Sequence, residues 1–441
     1  MTITFVPTPD QEAVADQFFH FLMSDAPTFV LSGGAGVGKT TLMQYISNNV
    51  MQTYQDACTL MNIKPKYHEV SFTATTNKAA EVLERTLNKP VSTVHSFLGV
   101  TVKENNKTGK TYLEPTRQYR VRHNHILFID ESSMIDTQMY DFIMNAFKDS
   151  KIVFVGDHAQ MSPVGEEISP VYLNVDQSNF AFLSKPVRNA NQPALIDLCT
   201  QLRNTVEEGD FHPMTEVPGV IDYLGPEDMQ TALEYYFKQP DAAVRVLCYT
   251  NSRVQDYNAF IREVRGLPSA FSVGDELVVA QSYMSGKVSL NVEREVFIRE
   301  IDTDTYNAYY SELTGDSKDL TYKKFLISPP GSLGVGSLTC DVVDDPAQLR
   351  NVLQALKRKK RWSEFFQLKN QFLDLRDKYA CTVYKSQGST YDTVFIDLGN
   401  IGTAHDPEQV ARMLFVGVSR ATTRIFFYGN LPAKYQGKEA A

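Results

Sequence analysis

The 441-residue chain holds only five cysteines and one tryptophan. Cys58, Cys199, Cys248, Cys340 and Cys381 are scattered, and no C-x-x-C pair or Cys/His cluster occurs. This excludes a disulfide framework and a zinc site of the usual ligand spacing; the thiols are expected to be reduced and structural. Long apolar runs are also missing, none reaching the roughly 18 residues that a membrane-spanning helix needs. Met1-Thr2-Ile3-Thr4-Phe5 has neither the basic nor the apolar region of a signal peptide. A cytoplasmic protein without membrane partners is expected. There is no internal repeat and no low-complexity segment. Positive charge is in deficit: a net charge of −9 argues against bulk coating of nucleic acid. Two local basic stretches remain, at 103–122 and at 357–361. Each reads as a solvated face or a phosphate contact.

Against these absences stands Gly33-Gly34-Ala35-Gly36-Val37-Gly38-Lys39-Thr40, which fits G-x-x-x-x-G-K-[ST] at every fixed position. It follows the apolar run Phe29-Val30-Leu31 and leads through Thr41 into a helical pattern. That strand–loop–helix setting is what a phosphate-binding loop requires. Backbone N–H groups and the helix dipole meet the anion, Lys39 reaches the β/γ-phosphates of ATP, and the Thr40 hydroxyl ligates Mg²⁺. His125-Ile126-Leu127-Phe128-Ile129-Asp130-Glu131 is an apolar strand ending in two carboxylates. Asp130 is expected to hold Mg²⁺ and Glu131 to polarise the attacking water. The strand at 151–156 runs into Asp157 and then Gln160, placed to sense a γ-phosphate. Gln11, near the start of an early helix, carries an amide able to read an adenine edge.

Buried strands alternating with helices predict an α/β chain with parallel sheets. A second strand–helix series begins after residue 180 and includes Val244-Arg245-Val246-Leu247-Cys248. Residues 264–375 change character, with short β-like runs followed by a long charged helix expected over 350–379. The α/β pattern returns at Thr382. Near residue 100, alternating apolar positions flank an Asn/Gly-rich tip, which predicts a hairpin.

Taken in order, these segments resemble superfamily 1 DNA helicases of the phage Dda-type and RecD-like group. Gln11 matches the Q motif and residues 33–40 motif I. Ala74-Thr75-Thr76-Asn77-Lys78-Ala79-Ala80 resembles motif Ia, with Thr75 where proline is usual. Asp130-Glu131-Ser132-Ser133-Met134 matches motif II, and Gly156-Asp157-His158-Ala159-Gln160-Met161-Ser162-Pro163-Val164 resembles motif III. Arg188 falls at the motif IV arginine. Val383-Tyr384-Lys385-Ser386-Gln387-Gly388-Ser389 resembles motif V, with Tyr384 where histidine is common; Val416-Gly417-Val418-Ser419-Arg420 resembles motif VI.

The resemblance implies two RecA-like domains. The first covers 1–180 with a hairpin or pin insert at about 100–119. The second covers 181–262 and 376–441 and is interrupted by a small β-rich, SH3-like insertion at 263–375. It also implies an ATP- and Mg²⁺-dependent helicase that moves 5′ to 3′ on single-stranded DNA and opens single-strand/double-strand junctions. Arg188 and Arg420 are expected to reach the γ-phosphate from the second domain, with Gly388 also at the nucleotide. Thr76, Asn77, His95, Phe97, Lys385 and Ser386 are the DNA candidates, with Tyr112 at the pin. A monomer is expected, working with single-strand-binding or recombination proteins in phage-type replication, recombination or repair, in the host cytoplasm. Two other readings stay open: a translocase that remodels protein–DNA complexes or branched DNA without net unwinding, and an ATP-switched nucleic-acid-binding protein.

Overall fold

A computed structural model of the chain describes residues 6–104, 111–163, 165–185, 192–239, 243–285, 288–290, 292–308, 320–329 and 336–437. The chain divides into two compact units. One joins Met1–Thr101, Leu113–Val254 and Cys381–Ala441; the other joins Val102–Tyr112 and Gln255–Ala380.

The first unit holds two sheets. In one, the strand order is Phe180–Leu183, Thr28–Gly33, Lys151–Gly156, His125–Asp130, Glu69–Ala74, Val91–Thr93, and every pairing is parallel. Its central strands Thr28–Gly33 and Lys151–Gly156 are buried at every residue, as apolar runs covered on both faces must be. Phe180–Leu183 forms the edge of this sheet, so the sheet runs past residue 180, where the second domain was expected to begin. The other sheet has the order Ile221–Leu224, Ala421–Tyr428, Tyr391–Asp397, Val244–Cys248, Ala380–Thr382, with its first three pairings parallel.

Helix Pro9–Met23 begins with a reciprocal cap. The Thr8 hydroxyl accepts from the Gln11 backbone and the Gln11 side chain accepts from the Thr8 backbone. The helix presents Phe18 and Phe21 to the sheet, with Phe18 edge-on to Phe29 at 5.5 Å and stacked on Phe128 at 5.9 Å. Its C-terminal end is held by a buried lysine. Lys151 Nζ donates to the carbonyls of Phe21 at 2.8 Å, Ser24 at 2.7 Å and Ala26 at 2.7 Å. Burial pulls this ammonium down to about 8, and it stays charged at neutral pH.

In the second unit, Tyr306–Ala308, Leu320–Ser328, Glu295–Ile301, Glu276–Val279 and Leu375–Asp377 form an antiparallel sheet, with Leu338–Val343 paired to Leu320–Ser328. Its root is fastened by Arg262, which donates to Asp275 at 2.5 Å and Asp377 at 2.8 Å. The long helix expected over 350–379 is instead two helices, Pro346–Arg358 and Trp362–Gln371, followed by the strand Leu375–Asp377. The break falls in the basic run, where Lys360 has φ 54°; a left-handed residue ends a helix. Val100–Glu104 and Thr111–Pro115 pair as a two-stranded sheet; the expected tip, 105–110, lies outside the described residues. Among the described residues no helix is long and apolar enough to cross a membrane.

Lys151→Met removes the donor from three carbonyls at once. A loss of roughly 2–4 kcal/mol in urea unfolding is expected from buried acceptors left unpaired. A loss below about 1 kcal/mol would show that other donors replace it.

Candidate functional site

The phosphate loop leaves the first sheet at Gly33. A Cβ there would lie 2.7 Å from the Leu183 carbonyl oxygen and 2.9 Å from Val37 Cγ2, so the neighbouring edge strand leaves room only for glycine. Gly34, Ala35, Gly36 and Val37 carry the loop outward. Gly38, with φ 86°, caps helix Lys39–Tyr45, whose first turn holds Thr40 and Thr41. Lys39 folds back over the loop, its Nζ 2.6 Å from the Gly33 oxygen and 2.9 Å from that of Gly34. Burial lowers its pKa, opposed by Asp157, Glu131 and Asp130, while Arg420 adds to the lowering. One ammonium thus lies within electrostatic reach of three carboxylates and the motif VI arginine.

Gln11 is 2% exposed, and its amide is already engaged. Its Oε1 accepts from Thr8, and its Nε2 donates to the Val37 carbonyl at 3.4 Å. In this arrangement it ties the first helix to the phosphate loop rather than presenting a free edge to adenine.

Asp130 ends its strand with Oδ1 accepting the Glu131 N–H at 2.9 Å. Burial, then Glu131, pushes its carboxyl up to about 7. Glu131 takes φ 54°, a strained setting that functional sites tolerate. Thr75 secures this turn from motif Ia: its N–H donates to the Asp130 carbonyl at 3.2 Å and its hydroxyl to the Glu131 carbonyl at 3.1 Å. The departure from proline therefore gains two hydrogen bonds to motif II. The Thr40 hydroxyl and Asp130 carboxylate are hard oxygen donors that fit Mg²⁺, an ion that keeps water and phosphate as its other ligands. Among the described residues no group of three His, Cys, Asp or Glu is arranged to hold a metal by itself. Ser32 Oγ, Ser133 Oγ, Asp157 Oδ2 and Gln160 Oε1 are buried without a hydrogen-bond partner. Orphaned polar atoms of this kind suit a site that a polar ligand completes.

Opposite the loop stand elements associated with the second sheet. A cavity of about 90 Å³ is lined by Gly34, Ala35, Gly36 and Val37 on one side and by Cys199, Arg203, Phe415 and Ser419 on the other. This is smaller than the roughly 300 Å³ at which ligand pockets begin, so this cavity by itself does not accommodate a nucleoside triphosphate. Arg203, on helix Pro193–Glu208, pairs with the fully buried Asp157 and also meets Glu207 at 3.0 Å. Arg420 is 5% exposed; its Nε donates to the Val416 carbonyl at 3.1 Å, and its Nη1 to that of Ser389 at 3.3 Å. Arg188 lies outside the described residues.

The DNA candidates separate into two groups. Thr76 caps helix Asn77–Leu87 by accepting from the Ala79 N–H at 3.2 Å. A Cβ on Gly388 would lie 3.4 Å from Ala79 Cα, so Gly388 packs on the motif Ia helix rather than on the phosphate loop. Motifs Ia and V therefore meet, with Asn77 and Lys385 half-buried. Ser386 is fully buried and donates to the Val383 carbonyl at 2.7 Å, which turns its hydroxyl inward. Phe97 is held in a ring cluster, stacked on Phe147 at 6.3 Å with the Arg122 guanidinium 4.3 Å from its ring centroid. It packs against the core while staying half-buried. Burial lowers the His95 pKa, partly opposed by Asp136. Tyr112 is 40% exposed.

Sequence reading missed Arg203 and Arg412, and it missed the use of Gln11 as a cap. A signal existed for two of them. Thr8-Pro9-Asp10-Gln11 has the capping-box spacing, and Arg412 is the one charge inside the otherwise apolar stretch 410–418. Arg203 carries no such mark.

Two family models match the chain: an AAA domain over residues 8–214 and a UvrD-like helicase C-terminal domain over residues 377–428. The chain is similar to the ATP-dependent DNA helicase dda of Enterobacteria phage T4, with 25% identity across 90% of this chain and 93% of that protein. It is also similar to the RecBCD enzyme subunit RecD of Buchnera aphidicola, with 31% identity over 30% of this chain and 23% of that one. A Pif1 helicase from Bacteroides, solved with ADP-AlF3 and ssDNA, shares the fold at TM-score 0.50 and 13% identity, covering 99% of this chain and 95% of that one.

Gln11→Ala should lose about 1 kcal/mol from the cap and raise KM for ATP with little change in kcat. Unaltered stability together with lost preference for ATP over GTP would instead support adenine reading as its whole role.

Proposed function

We propose that this chain, which belongs to superfamily 1 of the helicases, uses ATP and Mg²⁺ to move 5′ to 3′ along single-stranded DNA and to open duplex at a single-strand/double-strand junction. The observation that carries this reading is the two-walled cleft, with the phosphate loop on one side and Arg203, Phe415 and Ser419 on the other. An NTPase whose second wall comes from another sheet can turn nucleotide binding and loss into relative movement. The contact of Gly388 with Ala79 supports a DNA track shared by motifs Ia and V.

In this reading Lys39 leaves the Gly33 and Gly34 carbonyls for the β/γ-phosphates. Thr40 and Asp130 would hold Mg²⁺, which neutralises phosphate charge when bound. Glu131, set at the strand end by Thr75, orients water and accepts its proton, while Gln160 hydrogen-bonds at the γ-phosphate. Arg420, and Arg188 with it, offset charge that builds on the transferred phosphoryl group. Thr76, Asn77 and Lys385 meet the DNA backbone. Tyr112 is the pin residue that stacks on the base pair being opened. The motor acts as a monomer, in phage-type replication, recombination or repair, beside a single-strand-binding protein.

Matched duplexes bearing a 5′ or a 3′ single-stranded tail test the whole reading. Unwinding of the 5′-tailed substrate alone is expected; preference for the 3′ tail would reverse the polarity. Turnover unstimulated by single-stranded DNA would sink the motor, and protein displacement without strand separation would favour the remodelling translocase. Glu131→Gln should bind ATP normally and lose turnover by about 10²–10⁴-fold, the usual contribution of a general base. Tyr112→Ala should keep DNA-stimulated hydrolysis and lose unwinding; normal unwinding would remove it from the pin.

A further inference from the structure

The turn that carries Gln160 leaves the first sheet, yet its fixed points lie in elements that cover the second. Asp157 pairs with Arg203. The His158 ring lies 3.1 Å from Glu207 on the same helix. Ala159 and Met161 are buried in one cluster with Leu195, Leu198, Val410, Met413 and Leu414. The fourth attachment is Arg412, 6% exposed in helix Pro407–Val418. Its Nη1 donates to the backbone carbonyls of His158 and Gln160, each at 2.5 Å. Its Nε and Nη2 are held by Glu408 Oε1 at 2.9 and 2.6 Å. A single buried guanidinium therefore grips the backbone of the residue meant to sense the γ-phosphate. The side chain of that residue stays uncommitted: Gln160 is 3% exposed and its Oε1 has no partner.

We infer that Arg412 is a positioning residue for Gln160. It makes motif III a part of the second half of the motor, so that movement of that half advances or withdraws the sensing amide. The helix that holds Arg412 ends at Val418, and Arg420 follows two residues beyond it. The stretch of helix from Arg412 to Val418 rises about 9 Å and transmits displacement as a rigid rod to the turn that carries Arg420. One element then moves both the motif VI arginine and the motif III glutamine, and the two engage the nucleotide together. Packing alone would explain the apolar contacts of Met161, but not a desolvated guanidinium whose Nη1 is spent on two backbone carbonyls of that turn. A buried arginine is costly to place unless its hydrogen bonds are well made; here Glu408 holds one side of the guanidinium and the motif III turn takes the other. This inference rests on the nucleotide reading given above.

A double-mutant cycle between Arg412 and Gln160 tests it on basal ATP turnover, without DNA. Arg412→Ala and Gln160→Ala should each lower kcat about 10²-fold, the order expected when a reacting group is displaced by about 1 Å, with KM for ATP changed little. The double variant should be no slower than Gln160→Ala, because Arg412 acts only through that residue. Arg412→Lys, whose ammonium still reaches carbonyl oxygens, should recover most of the rate. Multiplying losses in the double variant, or equal losses for Lys and Ala, would reduce Arg412 to a packing role and overturn the proposal. If Arg412→Ala fails to fold, Arg412→Met, which keeps the apolar stem and removes the donors, takes its place in both the cycle and the comparison with Arg412→Lys. Wild-type turnover that single-stranded DNA does not stimulate would sink the motor reading, while the cycle on basal turnover would still decide the role of Arg412.

Discussion

The site depends on an imbalance of charge around Lys39. A single buried ammonium faces Asp130, Glu131 and Asp157. In a region of low dielectric such a surplus of acid is tolerated only if cations are supplied or carboxyls take up protons. The raised Asp130 carboxyl is the second response. The first is visible at Asp157, where Arg203 approaches from a helix outside the first sheet. A nucleotide brings more negative charge to the same place, accompanied by a divalent cation, and so increases the demand for positive groups from the opposite wall. Assembly of the nucleotide site and approach of the two walls are then one electrostatic event. In the motor proposed above, this would let hydrolysis, which changes the phosphate charge, report on the position of the second wall.

How much of this was legible in sequence varied with where each residue finds its partners. The phosphate loop, the strand ending in Asp130 and Glu131, and the parallel arrangement follow from local order: an apolar run, then glycines or acids, then a helix. Motif register placed Arg420 close enough for Lys39 to feel its charge. What escaped were side chains whose partners come from distant segments. Arg203 sits on an ordinary amphipathic helix, and its meaning lies in Asp157, 46 residues away. Phe97 could be read either as core or as a stacking surface, because its neighbours Phe147 and Arg122 are not local. Gly388 followed the family register toward the nucleotide, and only the contact with Ala79 shows it at the motif Ia helix.

The second unit shows the same limit. Its onset was readable as a change from helical to alternating patterns, but its root was not. Asn258 and Arg262 belong to a helix that reads as continuous, Asn251–Val264. Asn258 accepts the Ala380 N–H at 2.8 Å and donates to the Asp377 carbonyl at 3.0 Å, while Arg262 binds Asp275 and Asp377. The outgoing and returning strands are thereby clamped within a few residues of each other, and a long excursion closes without straining the helix that launches it. Loop-closure entropy grows only slowly with length, so a clamp of this kind stabilises a long insertion nearly as well as a short one.

Lys151, Arg262 and Arg412 share a design. Each is a cation buried in a run that reads as apolar or amphipathic, and each spends its donors on groups from elsewhere in the chain. Their targets differ in consequence. Lys151 closes the carbonyls at a helix end, and Arg262 clamps carboxylates at the base of an insertion; both fasten parts that have no reason to separate. Arg412 grips a turn that belongs by chain order to one sheet and by packing to the other. If the boundary opens and closes as in the motor proposed above, this bond cannot be only a fastener, because any movement there has to carry the turn along or break the bond. With Ala159 and Met161 sunk in the same cluster as Val410 and Met413, carrying the turn along is the less costly course. The strand Lys151–Gly156, fixed in the first sheet, then provides the pivot from which Gln160 swings.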